Sequence, residues 1–238
     1  MGSQLLTVII PTRNSPLVGD VIKEILEPVE NRRNVYNPKI LVAGYRSPAS
    51  TREVTEKLGG EYMEVVEKGK TAAVRQAVAQ VDTPFCAMLD ADTTYPAKHV
   101  REALRLLQTG YGVSGNVDVV MGHRKWREDG SMTRLNVVGN WGLSMLASML
   151  YGYRVKDVCT GLWAFRTEEL RKFRLESNGF QLEVDLFINA VRNGCRIVQL
   201  PIEYRKKPDY KKGVGLREGI AIGSFLVKSA TRTIKSAR

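Results

Sequence analysis

The sequence predicts an α/β protein built on a mainly parallel, doubly wound sheet. Short apolar runs recur at Leu5–Ile10 (LLTVII), Lys39–Ala43 (KILVA), Tyr62–Val66, Phe85–Leu89 and Val117–Met121. Continuous apolar runs of this length belong to strands buried on both faces. Amphipathic helical stretches separate them, and strand–helix alternation implies parallel pairing through crossovers. A third observation is Asp90-Ala91-Asp92, directly behind one of these runs. That places two carboxylates at the carboxyl edge of the sheet, where open α/β sheets bind ligands.

The elements follow in order. Pro11 ends the first strand, and Pro11-Thr12-Arg13-Asn14 forms a turn into a helix over Val18–Val29. Gly44–Ser50 is a loop after the second strand, followed by a helix over Arg52–Leu58, and Tyr62–Val66 is the third strand. Lys68-Gly69-Lys70-Thr71 opens a helix running through Val81. Its glycine, its two lysines and its free helix N–H groups suit a phosphate, the alternative being a plain solvated helix start. The full Walker pattern is absent, so this is not a P-loop. Pro84 and Pro96 bound the fourth run and favour a strand there. A helix follows over Ala97–Gln108, then a strand over Val117–Met121 ending in Gly122-His123-Arg124.

Ser131–Tyr153 contains an almost neutral helical stretch, either a core helix or one lying at an interface. Val158–Phe165 carries Cys159-Thr160-Gly161, and a helix is expected from Thr167 to Phe173. Gly179–Gly194 holds a helix with Glu183 and Asp185 in its first turns, Asp185 serving the helix dipole or a salt bridge. Ile197–Tyr204 is the last strand, and Lys206–Gly215 a basic, glycine-containing loop suited to a lid. From Leu216 onward, Leu216, Ile220, Leu226, Val227, Ala230 and Ile234 share one face at about 100° per residue. Arg217, Lys228, Arg232 and Lys235 share the neighbouring one. A basic amphipathic helix of this kind lies on an anionic membrane surface, unless it packs back on the domain. Residues 1–215 and 216–238 are therefore expected to be the main domain and a membrane-associated helix. The stop just after that helix leads to the expectation of a membrane segment beyond it.

Composition narrows the function. The 238 residues, 43% hydrophobic and 26% charged, suffice for one full core. A net charge of +11 suits an anionic membrane surface, a phosphate-rich substrate or nucleic acid. No RNA-binding aromatic signature or zinc pattern appears, so no nucleic-acid partner is expected. Cys86, Cys159 and Cys195 read as buried free thiols. With only His99 and His123 present, a histidine metal site is not expected. Asp90 and Asp92 are the hard oxygen ligands that Mg²⁺ or Mn²⁺ on nucleotide phosphates prefer, although two acids in a solvated loop would read the same.

Five blocks, VIIPTRN, LDADTTYP, DVCTGLWAFR, GFQLEVDLFINAVRNG and RIVQLPIEYRKK, resemble the family 2 glycosyltransferases of GT-A fold. The resemblance points to the branch of dolichyl-phosphate mannosyltransferases and related polyprenyl-phosphate sugar transferases. It implies a metal-dependent, inverting hexosyltransferase at the cytoplasmic face of the membrane. The expected donor is GDP-mannose and the expected acceptor a polyprenyl or dolichyl phosphate. UDP-glucose as donor, or extension of a lipid-linked glycan at a sugar hydroxyl, are alternatives. A non-catalytic nucleotide-binding module is the alternative outside enzymes. A nucleotidyltransferase is disfavoured, because its glycine-rich Arg-Lys start is missing.

The resemblance also implies roles. Asp92 is the direct metal ligand and Asp90 a nucleotide or water-mediated metal contact. Pro11, Thr12 and Asn14 line the base and ribose pocket, and Lys70, Ala91 and Arg205 also serve the nucleotide sugar. Arg124 and Arg134 meet the acceptor phosphate. Glu183 is the general base for a hydroxyl acceptor, or an orienting group for a phosphate acceptor that is already ionised. Lys211 and Lys212 fall in the basic loop over the donor, Asp157 is mainly structural, and Trp163 belongs to the core. Trp126 and Trp141 face the membrane interface or the acceptor. Two departures stand out. Asn14 replaces the usual Glu, and Ala43-Gly44-Tyr45-Arg46-Ser47 replaces an Asp pair followed by Gly-Ser. Tyr45 or Arg46 is left to grip the nucleoside, and donor binding is expected to lean on the diphosphate.

Overall fold

The structure, a computed structural model, describes residues 4–27, 37–110, 116–207 and 215–236, with side chains as far as 232. Its elements run β1 (Leu6–Thr12), α1 (Val18–Leu26), β2 (Lys39–Tyr45), α2 (Ala49–Lys57), β3 (Glu61–Val65), α3 (Lys70–Val78), β4 (Phe85–Met88) and α4 (Lys98–Thr109). There follow β5 (Val119–Arg127), α5 (Arg134–Tyr151), β6 (Trp163–Arg166), α6 (Thr167–Leu170), α7 (Leu182–Arg192), β7 (Ile197–Tyr204) and α8 (Leu216–Ser236). The strands form one sheet in the order β3-β2-β1-β4-β6-β5-β7. All pairs are parallel except those of β6, which runs antiparallel to both β4 and β5.

The apolar runs account for this layering. In β1, Leu6, Val8 and Ile10 point to one side of the sheet and Ile9 to the other, and all are buried. On the first side they meet Val18, Val21, Ile22 and Ile25 of α1 and Val100, Ala103, Leu106 and Leu107 of α4. On the second lie Val74 of α3, Phe187 of α7 and Leu226 of α8, around Trp163 and Phe165 of β6. Each valine, leucine, isoleucine or phenylalanine so buried contributes about 1.5–3 kcal/mol. The strand order reverses at β1, with β2 on one flank and β4 on the other, a topology that sets the ligand crevice of an open α/β sheet beyond the carboxyl ends of these three strands.

Several expected boundaries shift. β1 continues through Pro11 and Thr12, which pair with Ala43 and Gly44 of β2. Ile9 gives its carbonyl to the Leu89 N–H, so Pro11 turns its backbone to the same side. There β4 pairing has already ended at Ile9, and the missing N–H breaks no ladder bond. β5 likewise runs past Met121 to Arg127, because β7 stays paired with it to Tyr204. Gly122 allows that closeness, since a Cβ there would lie 2.6 Å from Ile202 Cδ1. The helix expected from Thr167 to Phe173 stops at Leu170.

The single apolar face expected for the C-terminal helix is divided. Ile222, Leu226 and Ala230 are buried, while Leu216, Ile220 and Val227 are exposed. α8 packs on α5 and α7, and the Tyr151 hydroxyl donates to the Leu226 carbonyl at 3.1 Å. The side chains of Ile234 and Lys235, and all of Lys211 and Lys212, lie outside the described residues. The three cysteines are free, Cys86 buried and the other two half-buried. Among the described residues no helix is long and apolar enough to cross a membrane.

Candidate active site

Backbone strain marks the crevice. Among the described residues, the non-glycine residues with positive φ are Asn14 (63°), Arg46 (47°) and Thr93 (62°). They follow β1, β2 and β4, three neighbouring strands, at their carboxyl ends. For a β-branched threonine this conformation is costly, and such strain collects at functional sites.

Asp90 and Asp92 leave β4 into this crevice, and each is met by a lysine. Lys70, the first residue of α3, donates from Nζ to Asp90 Oδ1 at 2.5 Å and to Glu183 Oε1 at 2.6 Å. Gly69, at φ 121°, makes the turn that delivers Lys70, and Glu183 enters from the first turn of α7. Lys207, just beyond β7, lies 3.2 Å from Asp92 Oδ2. The other Asp92 oxygen accepts from the Thr94 hydroxyl at 2.6 Å and the Thr94 N–H at 3.3 Å. Burial raises the Asp90 carboxyl above the usual carboxylate range, with Asp92 and Glu183 adding to the rise and Lys70 opposing it. Burial would lower Lys70, but its two carboxylates outweigh that and hold the ammonium above its ordinary range.

The loop is built from parts that the sequence did not announce. Gly161 leaves room for the Asp90 carboxylate, since a Cβ there would lie 2.6 Å from Asp90 Cγ. The Gly161 N–H donates to the Tyr95 hydroxyl at 2.7 Å. The Ser15 hydroxyl donates to the Ala91 carbonyl, tying the β1 turn to the carboxylate loop. Close-packed glycine and a serine behind a strand end are the signals that could have pointed to them.

The other expected residues separate. Thr12 is buried, and its hydroxyl accepts from the Ser15 N–H at 3.3 Å, capping the turn. Pro11 is buried beside it, and Asn14 is exposed, its N–H 3.5 Å from Ser47 Oγ. The Ala91 side chain is buried in the core, so only its backbone borders the crevice. The Arg205 guanidinium donates to Glu24 of α1 at 2.9 Å, and Lys207, two residues on, reaches Asp92.

On the far side of β5 lies a cavity of about 320 Å³ lined by His123, Arg127, Val138, Trp141 and Lys156, with the Arg124–Asp157 pair in its wall. Arg124 is neither a surface arginine nor a free phosphate fork. It is 8% exposed and donates to Asp157 from Nε at 2.7 Å and from Nη2 at 2.6 Å. Its own backbone N–H adds a third bond at 3.0 Å, and Asn140 donates to the same carboxylate at 3.0 Å. Burial pushes Asp157 up, but Arg124 outweighs it and holds the carboxyl below its usual range. Arg134 is exposed at the start of α5, outside the lining, where Arg127 and Lys156 stand instead. An exposed apolar stripe runs along α5 through Leu135, Val138, Trp141, Met145 and Met149, and Leu216 and Ile220 of α8 are exposed as well. Trp126 is exposed on β5, and Trp163 is fully buried as expected.

The model of the family "Glycosyl transferase family 2" matches residues 7–174. The chain belongs to that family. It is thus an enzyme of glycosyl transfer, and the non-catalytic reading falls. A "Dolichyl-phosphate hexose transferase" of Haloferax volcanii is 33% identical over 224 residues, spanning 94% of this chain and 92% of that protein. A "Dolichol-phosphate mannosyltransferase" of Pyrococcus furiosus is 23% identical over 83% of this chain, which spans 56% of its length. Among solved structures, glucosyl-3-phosphoglycerate synthase of Mycobacterium tuberculosis, with Mn²⁺, UDP-glucose and phosphoglyceric acid, matches with a TM-score of 0.73. The match covers 96% of this chain and 80% of that one at 16% identity, and establishes the GT-A fold.

Proposed function

We propose that this enzyme transfers a hexose, mannose from GDP-mannose, to a polyprenyl or dolichyl phosphate at a membrane surface. The observation that carries the reading is the juxtaposition of the Asp90, Asp92, Lys70 and Glu183 cluster with a cation-lined cavity that opens onto the exposed apolar stripe of α5. The first suits a diphosphate, the second an acceptor phosphate and the third a lipid chain. The names of the relatives from Haloferax and Pyrococcus support lipid phosphate and mannose.

The carboxylates fit a divalent metal. Asp90 and Asp92 are hard oxygen donors that already hold cationic groups, and among the described residues no third acid, His or Cys completes a metal cage with them. A Mg²⁺ or Mn²⁺ ion held by few carboxylates takes its remaining oxygens from phosphate and water. When bound, it would stabilise charge developing on the leaving diphosphate.

An acceptor phosphate oxygen attacks the anomeric carbon, the bond from that carbon to the diphosphate oxygen breaks, and the nucleoside diphosphate leaves with inversion. A phosphate nucleophile needs no proton removed. That agrees with Glu183, whose carboxylate is engaged by Lys70 and so is a poor general base. Glu183 then orients Lys70, and Arg127 and Lys156 receive the acceptor phosphate. The apolar stripe rests on an anionic bilayer, which the exposed cations Arg134 of α5 and Arg217 and Lys228 of α8 favour.

The test is transfer itself. The enzyme is incubated with dolichyl phosphate in anionic vesicles, Mn²⁺, and either GDP-mannose or UDP-glucose, and the lipid product is weighed by mass spectrometry. Dolichyl phosphomannose is the expected product. Product only from UDP-glucose replaces the donor, and no lipid product from either donor overturns the reading.

A further inference from the structure

We propose that Lys70 and Lys207 are counter-ions standing where a divalent cation binds, and that donor loading hands both ammonium groups from the carboxylates to the diphosphate. This rests on the diphosphate-sugar reading of the crevice. Lys70 Nζ lies 2.5 Å from Asp90 Oδ1, and Lys207 Nζ lies 3.2 Å from Asp92 Oδ2. Two single positive charges thus sit on the two carboxylates that one divalent ion would neutralise. The lysine and aspartate side chains are 23–42% exposed, so the pairs border solvent rather than being sealed in the core.

Both cations are lysines. An ammonium on a flexible four-carbon stem is a point charge that changes partners readily, unlike a guanidinium fixed in a fork. Lys70 also keeps a second anchor, Glu183 Oε1 at 2.6 Å, so it can leave Asp90 without losing every partner. A metal arriving alone must displace both ammonium groups from the aspartates without offering either a new anionic partner. A metal arriving with a diphosphate supplies those groups with new anionic partners. Metal and nucleotide should therefore bind as a pair, each raising the affinity of the other, since coupling of two ligands is reciprocal.

The experiment measures free Mn²⁺ by electron paramagnetic resonance during titration of the whole chain, first alone and then with saturating GDP or UDP. The wild type should bind Mn²⁺ weakly alone and more tightly with a nucleoside diphosphate. Lys207→Met, Lys70→Met and the double variant should each bind Mn²⁺ more tightly in the absence of nucleotide, by on the order of tenfold. Their additional gain from nucleotide should shrink. Lys207 is partly exposed, so Lys207→Met keeps the test decisive if Lys70→Met loses its fold by thermal denaturation. Metal affinity that is unchanged or weaker in the folded variants without nucleotide overturns the counter-ion role. Failure of both GDP and UDP to bind with Mn²⁺, while metal alone still tightens in the variants, leaves the counter-ion role standing and sinks the donor reading.

Discussion

The two carboxylates Asp90 and Asp157 are treated in opposite ways. Asp90 is met by a lysine ammonium in a partly open crevice, with Asp92 and Glu183 as like-charged neighbours, and its carboxyl is pushed up. Asp157 is met by two guanidinium nitrogens of a buried arginine, a backbone N–H and an asparagine amide, and its carboxyl is held down. The first arrangement is one that a ligand can exchange. The second fills every favourable partner position and fixes the wall between β5 and α5. The Asp90 cluster thus keeps partners that a ligand can replace, while the Asp157 network holds the cavity wall in place.

Substitutions at each side should show this contrast. Asp92→Ala removes one of the two carboxylates proposed to hold the metal. It should lower kcat by about three orders of magnitude or more with the circular dichroism spectrum unchanged. Near-normal turnover would remove Asp92 from the donor site. Arg124→Met should act on the fold instead. It strands a buried carboxylate, and breaking such a pair costs about 3–5 kcal/mol, to be read by urea denaturation at neutral pH. Acid should reveal the same pair. A depressed folded value means that Asp157 contributes stability fully above the ordinary carboxylate range and loses it as pH falls through the folded value. Asp157→Asn should therefore be less stable than wild type at neutral pH but flatter below about pH 4. Equal acid slopes would show that the pair does not govern the acid limb.

The sequence made much of the donor side legible because its parts are adjacent in the chain. Asp90 and Asp92 directly follow an apolar run, and the expected bounds of β7 match the strand. The pairing of Lys70 with Glu183 spans 113 residues, and no local pattern encodes it. Arg205 and Lys207 share one basic stretch, and only the end of β7 decides which of them turns toward Asp92. The antiparallel β6 was hidden for a similar reason: a four-residue run such as Trp163–Arg166 looks the same in either direction. On α8, an angular plot assigns one apolar face, whereas the helix has two neighbours and divides its apolar residues between them and the exterior.

A smaller effect separates the two roles left open for Glu183. Removing a working general base typically costs about 10²–10⁴-fold in rate. Because Lys70 engages Glu183 and a phosphate acceptor is already ionised, Glu183→Gln should lower kcat by less than about tenfold, within what loss of one orienting contact allows. A loss of the larger size, with a matching change in the pH–rate profile, would restore the hydroxyl-acceptor alternative.

The smallest expected effect bears most directly on the difference between Asp90 and Asp157. A raised folded value means that ionised Asp90 costs stability at neutral pH, and that this cost disappears as pH falls below the unfolded value. Asp90→Asn keeps the shape beside Gly161, leaves Glu183 to hold Lys70, and removes one of three clustered negative charges. Its Tm at neutral pH should match or exceed that of the wild type by no more than a few degrees, while transfer activity falls. Sites arranged for a ligand commonly gain stability when their charges are removed. A drop of several degrees in Asp90→Asn, comparable to that of Asp157→Asn, would mean that Asp90 is as structural as Asp157, and the contrast between the two sides would disappear.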